Sequence, residues 1–272
     1  MLITFKCPEC QAELEADASS AGSDVSCPSC NTDIKVPSAG LGPGTTLGGY
    51  RIESKLGAGG MGEVYLATQL SMERQVALKV LPPNLSGNKE MSDRFLSELK
   101  ILARLEHPNI VTAFDAGSDS GILFFAMARV NGESVAEHLQ KKGAYREREA
   151  FSIVRKLSGA LAYAWNDLQM LHRDIKPSNI LIDKKGEPRL VDFGLAKSLN
   201  ADVCLTMTNM MIGTPNYMST EQVEGGGALD VRADMYSMGA TLYHMLTGNV
   251  PFSGSSVVEI IRKQLSEPLP DP

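Results

Sequence analysis

A chain of 272 residues, 43% hydrophobic and 21% charged, has room for one large domain or two smaller ones around a real core. Its net charge of −6 argues against a dedicated nucleic-acid binder, since phosphate backbones attract basic patches. The start, MLITFKCPEC, lacks the charged region and long apolar run of a signal peptide. No stretch reaches the roughly 18 apolar residues that span a bilayer, so no membrane segment and a cytoplasmic location are expected.

Residues 1–36 hold two cysteine pairs, Cys7 with Cys10 and Cys27 with Cys30, while Cys204 stands alone. Sixteen residues separate Cys10 from Cys27, inside the spacing window of zinc sites. A two-residue gap lets both thiolates of a knuckle reach one ion, and four sulfurs close a tetrahedral shell with no open position. That makes a structural site rather than a catalytic one. Two redox pairs or two disulfides are the alternative, and a reducing compartment disfavours them. The segment resembles a zinc ribbon. Lys6 and Lys35 are outnumbered by Glu9, Glu13, Glu15, Asp17, Asp24 and Asp33, so a protein partner is expected sooner than a nucleic acid.

PSAGLGPGTTLGG, residues 37–49, reads as a flexible linker. Beyond it YRIESKLG, GEVYLAT, QVALKVL and GILFFAMARV suit strands. KEMSDRFLSELKILARLE and REREAFSIVRKLSGALAYAWNDL carry helical spacing, as does RADMYSMGATLYHMLTG, closed by Gly248. SSVVEIIRKQLSE predicts a shorter helix. Strands come first and helices after, an α+β pattern of a small β-rich lobe and a larger helical one.

The chemistry gathers in four places. Gly57, Gly59 and Gly62 have G-x-G-x-x-G spacing, shared with dinucleotide-binding loops. Here, however, they lie between two strand-like segments, where bare backbone N–H groups can approach phosphates. Seventeen positions on stands Lys79, followed by Glu98 on the next helix. HRDIKPSNIL then places Asp174 and Asn179 behind a His-Arg pair, and VDFG supplies Asp192, Phe193 and Gly194.

In this order the motifs resemble the eukaryotic-type protein kinases, in wording closest to bacterial Ser/Thr kinases, from about Tyr50 to the end. The resemblance implies the two-lobed kinase fold over residues 50–272, ATP and Mg²⁺ (or Mn²⁺) as cofactors, and protein substrates. It implies that Asp174 accepts or orients the proton of the substrate hydroxyl and that Lys176 contacts the γ-phosphate. Asn179 and Asp192 hold the metal ions, and Lys79 pairs with the α- and β-phosphates while Glu98 holds it. Leu56, Val64, Ala77 and Leu181 surround the adenine between the lobes, Met127 is the gatekeeper, and backbone groups of Ala128 and Val130 bond the purine edge. Thr214 supports Asp174 and Lys176, and a buried Asp234 braces the catalytic loop. A phosphate on Thr206 or Thr208 pairs with Arg173 and orders the loop.

Two departures stand out. Thr220 replaces the proline usual before Glu221, and the chain reaches LSEPLPDP before the family's last helices. An incomplete larger lobe is therefore expected, with Glu221 partly buried and unpaired and with an uncovered apolar face. Two rivals remain: a pseudokinase that only binds, and a nucleic-acid adapter centred on the ribbon. The intact Lys79, Asp174, Asn179 and Asp192 count against the first, and the ribbon's acidity against the second.

Overall fold

Two successive hairpins open the computed structural model, which describes residues 2–17, 20, 23–36, 41–59, 62–81, 96–97, 99, 101–193, 215–224 and 229–272. Strands β1 (Leu2–Lys6) and β2 (Glu13–Asp17) pair antiparallel, as do β3 (Asp24–Ser26) and β4 (Asp33–Lys35). Each hairpin carries one Cys-x-x-Cys knuckle at its turn. The doubled pair is the visible part of a longer repeat, for Cys7, Leu14, Cys27 and Ile34 build one small core with Phe5, Ala12 and Val25 against it.

A six-stranded sheet follows, in the order β5-β6-β7-β8-β10-β9. Its strands are β5 (Thr46–Leu47), β6 (Tyr50–Gly59), β7 (Gly62–Gln69), β8 (Arg74–Val80), β9 (Ala113–Asp119) and β10 (Ile122–Ala128). The stretch expected as a linker is thus shorter than 37–49. Residues 37–40 lie outside the described residues, and from Leu41 the chain is built onto the sheet. Leu41 and Leu47 are buried, and Thr46 pairs with Arg51. Gly48 and Gly49 (φ 55° and 85°) make the two-residue turn into β6, a conformation in which both central residues need positive φ. Glycine here signals a hairpin, not a tether.

The remaining elements are helical apart from a three-stranded sheet, β11 (Gly132–Ser134), β12 (Ile180–Asp183) and β13 (Pro188–Leu190). Helix α1 (Val135–Lys142) starts from a capping box between Ser134 and Glu137. Helix α2 (Glu147–Leu168) buries Ala150, Ile153, Leu157, Ala160, Leu161 and Ala164, a single stripe at helical spacing. Helix α3 (Thr220–Glu224) is short, and α4 (Val231–Thr247) packs on α2. Gly248 ends α4 in the left-handed region, as its position in the sequence predicts. Helix α5 (Val257–Ser266) comes last. In the expected helix before β9, residues 96, 97, 99, 101 and 102 are helical, with Leu99 and Leu102 buried; Leu105 just beyond is buried too.

The chain divides into two units, Met1–Asp93 with Ala116–Ala126, and Arg94–Asp115 with Met127–Pro272. Strands dominate the first and helices the second, the α+β order expected. Among the described residues no helix is long and apolar enough to cross a membrane.

Candidate active site and cysteine centre

The segment from Leu171 to Lys176 has no regular secondary structure, yet its backbone is tied on every side. Asp234, buried on the first turn of α4, accepts the N–H of His172 (2.7 Å) and of Arg173 (2.8 Å) on its two carboxylate oxygens. The His172 ring is fully buried. Its Nδ1 accepts the Asp174 N–H (3.3 Å), so Nε2 carries the proton and donates to the Val191 carbonyl (3.0 Å). The Phe193 ring lies 4.9 Å from it. Arg173 sits at φ 68°, a conformation costing an L-residue of order 1 kcal/mol. Such strain persists only where surrounding bonds hold it.

This loop presents Asp174. Lys176 Nζ lies 2.8 Å from its Oδ2, and Asn179 Nδ2 donates to its main-chain oxygen (2.8 Å) and to Oδ2 (2.9 Å). Both Asn179 bonds use the amide nitrogen, which leaves Oδ1 as the atom able to ligate a hard cation. The turn Pro177–Asn179, with proline at its start, delivers Asn179 to β12. There the Asn179 carbonyl accepts the Val191 N–H (3.0 Å), and Ile180 pairs with Leu190. Backbone pairing therefore brings Asn179 beside Asp192, itself at φ 59°. An amide oxygen and a carboxylate are a donor set suited to Mg²⁺.

In the first unit, Gly57 pairs with Val64 and Gly59 with Gly62 across a hairpin, whose tip residues 60–61 lie outside the described residues. The glycines differ in kind. A Cβ on Gly62 (φ 115°) would meet the Val80 carbonyl oxygen at 2.1 Å, whereas one on Gly57 or Gly59 meets no atom within 4 Å. Packing demands the third glycine only. Val64 opposes Lys79, and Ala77 precedes Lys79 by two, so all three share one face of the sheet. Lys79 is 3% exposed, a rare burial for a lysine. Leu56 falls at a register shift of β6 and is exposed.

In the second unit, Met127 is buried, while Val130 and Leu181 are half-buried. The Ala128 N–H already donates to the Thr112 carbonyl (2.9 Å), so its own carbonyl is the group it has to offer a ligand. Glu98, Gly194, Cys204, Thr206, Thr208 and Thr214 lie outside the described residues.

Glu221 differs from expectation. It is exposed and takes a hydrogen bond from the Thr220 hydroxyl (3.3 Å), so it is no buried charge in want of a partner. Thr220 itself opens α3, where a backbone N–H has no partner within the helix, so the N–H that a proline lacks is one the helix does not use. The substitution is consequently mild. Val258, Leu265 and Leu269 are exposed.

The cysteines converge. All four sulfurs lie within 4.8 Å of one another, with Cys7 to Cys30 at 3.7 Å and Cys10 to Cys27 at 3.8 Å. A tetrahedron of sulfurs about 2.3 Å from zinc has edges of about 3.8 Å. A disulfide needs about 2 Å, so the paired-disulfide alternative does not fit. The two knuckles repeat each other's hydrogen bonds: Cys7 to Ala12 and Gln11 to Cys7 in one, Cys27 to Thr32 and Asn31 to Cys27 in the other. Gln11 and Asn31 both adopt positive φ.

Sequence reasoning named every catalytic-loop residue above except His172 as a proton-bearing bridge, and it missed Gln222. The Gln222 Nε2 donates to the Arg173 carbonyl (2.9 Å). Ser219-x-x-Gln222 was the signal, the pattern of a helix capping box.

A family model described as the protein kinase domain matches residues 50–269. Serine/threonine-protein kinase PrkC of Bacillus subtilis is 38% identical over 223 residues, which cover 82% of this chain and 34% of that protein. Serine/threonine-protein kinase PknF of Mycobacterium tuberculosis is 40% identical over 229 residues, 82% of this chain and 48% of its own. The crystal structure of the Mycobacterium tuberculosis PknI kinase domain superposes with a TM-score of 0.65 at 32% identity, covering 79% of this chain and 80% of that one. The chain spans between a third and a half of the length of these two curated relatives.

Proposed function

The chain belongs to the protein kinase family, and from that premise we propose that it transfers the γ-phosphate of ATP to Ser or Thr hydroxyls of protein substrates. The observation that carries this reading is the Asp174 carboxylate, bonded to Lys176 and Asn179 on a loop pinned by Asp234. Phosphoryl transfer needs positioning and charge neutralisation more than covalent help from the protein. Asp174 orients the incoming hydroxyl and takes its proton. Lys176, already on Asp174, is placed to follow the γ-phosphate. Asn179 Oδ1 and the Asp192 carboxylate are the ligands for Mg²⁺ (or Mn²⁺), which supplies positive charge to the phosphate oxygens. Lys79 meets the α- and β-phosphates beneath the glycine hairpin. Leu56, Val64, Ala77, Met127, Ala128, Val130 and Leu181 are the residues that the family resemblance assigns to adenine. A binding-only role is not favoured, because no member of the catalytic set is replaced. The four cysteines hold one structural Zn²⁺, and a protein is the partner that suits the ribbon's acidity.

Incubation with labelled ATP and Mg²⁺ tests the reading. Label should pass to a protein acceptor with the parent chain and fall by orders of magnitude with Asp174→Asn. Equal labelling by both would remove Asp174 from the chemistry. Autophosphorylation at Thr206 or Thr208, with the phosphothreonine then pairing with Arg173, is the proposed activating step. The Thr206→Ala/Thr208→Ala double variant should then lack the parent's rise in rate on preincubation with ATP. An unchanged rise, with phosphosites mapped elsewhere, would place regulation outside this loop.

A further inference from the structure

The strained peptide before Asp174 is held from two directions, and only one of them is Asp234. On its N–H side Arg173 donates to Asp234 (2.8 Å); on its carbonyl side it accepts from Gln222 Nε2 (2.9 Å). With φ at 68° the residue holds a conformation that an L-residue keeps only where surrounding bonds fix it. The Arg173 carbonyl and the Asp174 N–H belong to one planar peptide, so a bond to the first fixes the second. That N–H in turn donates to His172 Nδ1.

Gln222 cannot swing away freely. Its Oε1 accepts the Ser219 N–H (3.0 Å), while its own N–H reaches the Ser219 hydroxyl (3.4 Å). Ser219 is fully buried. This reciprocal pair is a capping box at the start of α3, and it uses up the oxygen end of the amide. The nitrogen end is thereby aimed at Arg173.

We propose that Gln222 is a positioning residue for the reaction. Its amide couples the start of α3 to the peptide that carries Asp174, so that Asp174 is in register only while Nε2 stays on the Arg173 carbonyl. The role rests on the kinase reading for its effect on rate, but the brace itself is a property of the loop. A glutamate separates the two ends of the side chain. It keeps an oxygen for Ser219 and puts a second oxygen, in place of a donor, against the Arg173 carbonyl. Ser219→Ala does the reverse, removing a cap bond while leaving Nε2 on Arg173.

The test compares the parent chain, Gln222→Glu and Ser219→Ala in kcat, in KM for ATP, in Tm, and in hydrogen exchange of the peptide spanning residues 171–180. For Gln222→Glu the expectation is a kcat lower by about tenfold or more, since small misplacements of a reacting group cost that much. KM for ATP should stay within about twofold, and exchange at the catalytic loop should quicken. Ser219→Ala should lower Tm and leave kcat and loop exchange near the parent's. Exchange does not depend on turnover, so a parent chain that transfers no phosphate would sink the kinase reading while the brace remained testable. Unchanged exchange or unchanged kcat in Gln222→Glu would overturn the proposal. So would a Ser219→Ala variant that lost kcat in equal measure, for the effect would then be helix stability alone.

Discussion

Asp234 shows how much one buried side chain is asked to do. Its two oxygens take two successive N–H groups, those of His172 and Arg173, and nothing smaller or differently charged supplies two acceptors at that spacing. An asparagine there has one oxygen and one NH2 group, so one of the two amides would face a donor. Asp234→Asn should therefore cost about 1–3 kcal/mol, the penalty for a buried group left unmatched. It should also lower kcat more than KM for ATP, because the displaced peptide leads to Asp174. Thermal melts beside steady-state kinetics check both parts; a full loss of ATP affinity with kcat retained would contradict the assignment. The same residue was legible in the sequence only through resemblance. No periodicity distinguishes it from an ordinary acidic residue in the first turn of a helix, where the helix dipole favours one anyway.

At the scale of elements, the glycine hairpin of β6 and β7 separates packing from function. Gly62→Ala forces a Cβ onto the Val80 carbonyl at a positive φ, and should destabilise the first unit by roughly 2–4 kcal/mol. Gly57→Ala meets open space, so it should leave Tm within a degree or two or raise it slightly, since glycine is the poorer strand residue. Its loss should appear in ATP affinity instead. Calorimetric melts and nucleotide titration distinguish the pair, and equal behaviour of both variants would refute the division. Strands β6, β7, β8 and β10 and helices α2, α4 and α5 could all be read from period and caps. Two of the strands that escaped are too short to show a pattern. Strand β5 is two residues long and exists because Gly48 and Gly49 turn it onto Tyr50. Strand β11 is three residues long and pairs with Ile180–Asp183, far along the chain. Neither carries enough residues to show a period.

The molecule as a whole poses the question of what the two leading hairpins need in order to stand. Among the described residues each pairs only with itself, and their joint core is the four residues Cys7, Leu14, Cys27 and Ile34 with three partly buried neighbours. Segments below about 40 residues seldom fold on apolar burial alone, and ones this small are commonly held by a metal. The four sulfurs already stand at tetrahedral spacing, and the backbone bonds of both knuckles are in place. The residues proposed to handle ATP begin at Leu56, beyond both hairpins. Purified protein should accordingly carry about one Zn²⁺, lost in Cys7→Ser because three thiolates hold the ion poorly. Loss of the metal should expose residues 2–36 to hydrogen exchange and proteolysis while β6 to β8 keep their protection. The rate of phosphoryl transfer should stay within about twofold, as the transfer residues neither ligate the ion nor lie among its ligands. Metal analysis of reduced protein is the first check, followed by exchange and kinetics on Cys7→Ser. Absence of zinc would end the structural-metal assignment, whereas transfer that failed along with the metal would make the hairpins part of the catalytic unit.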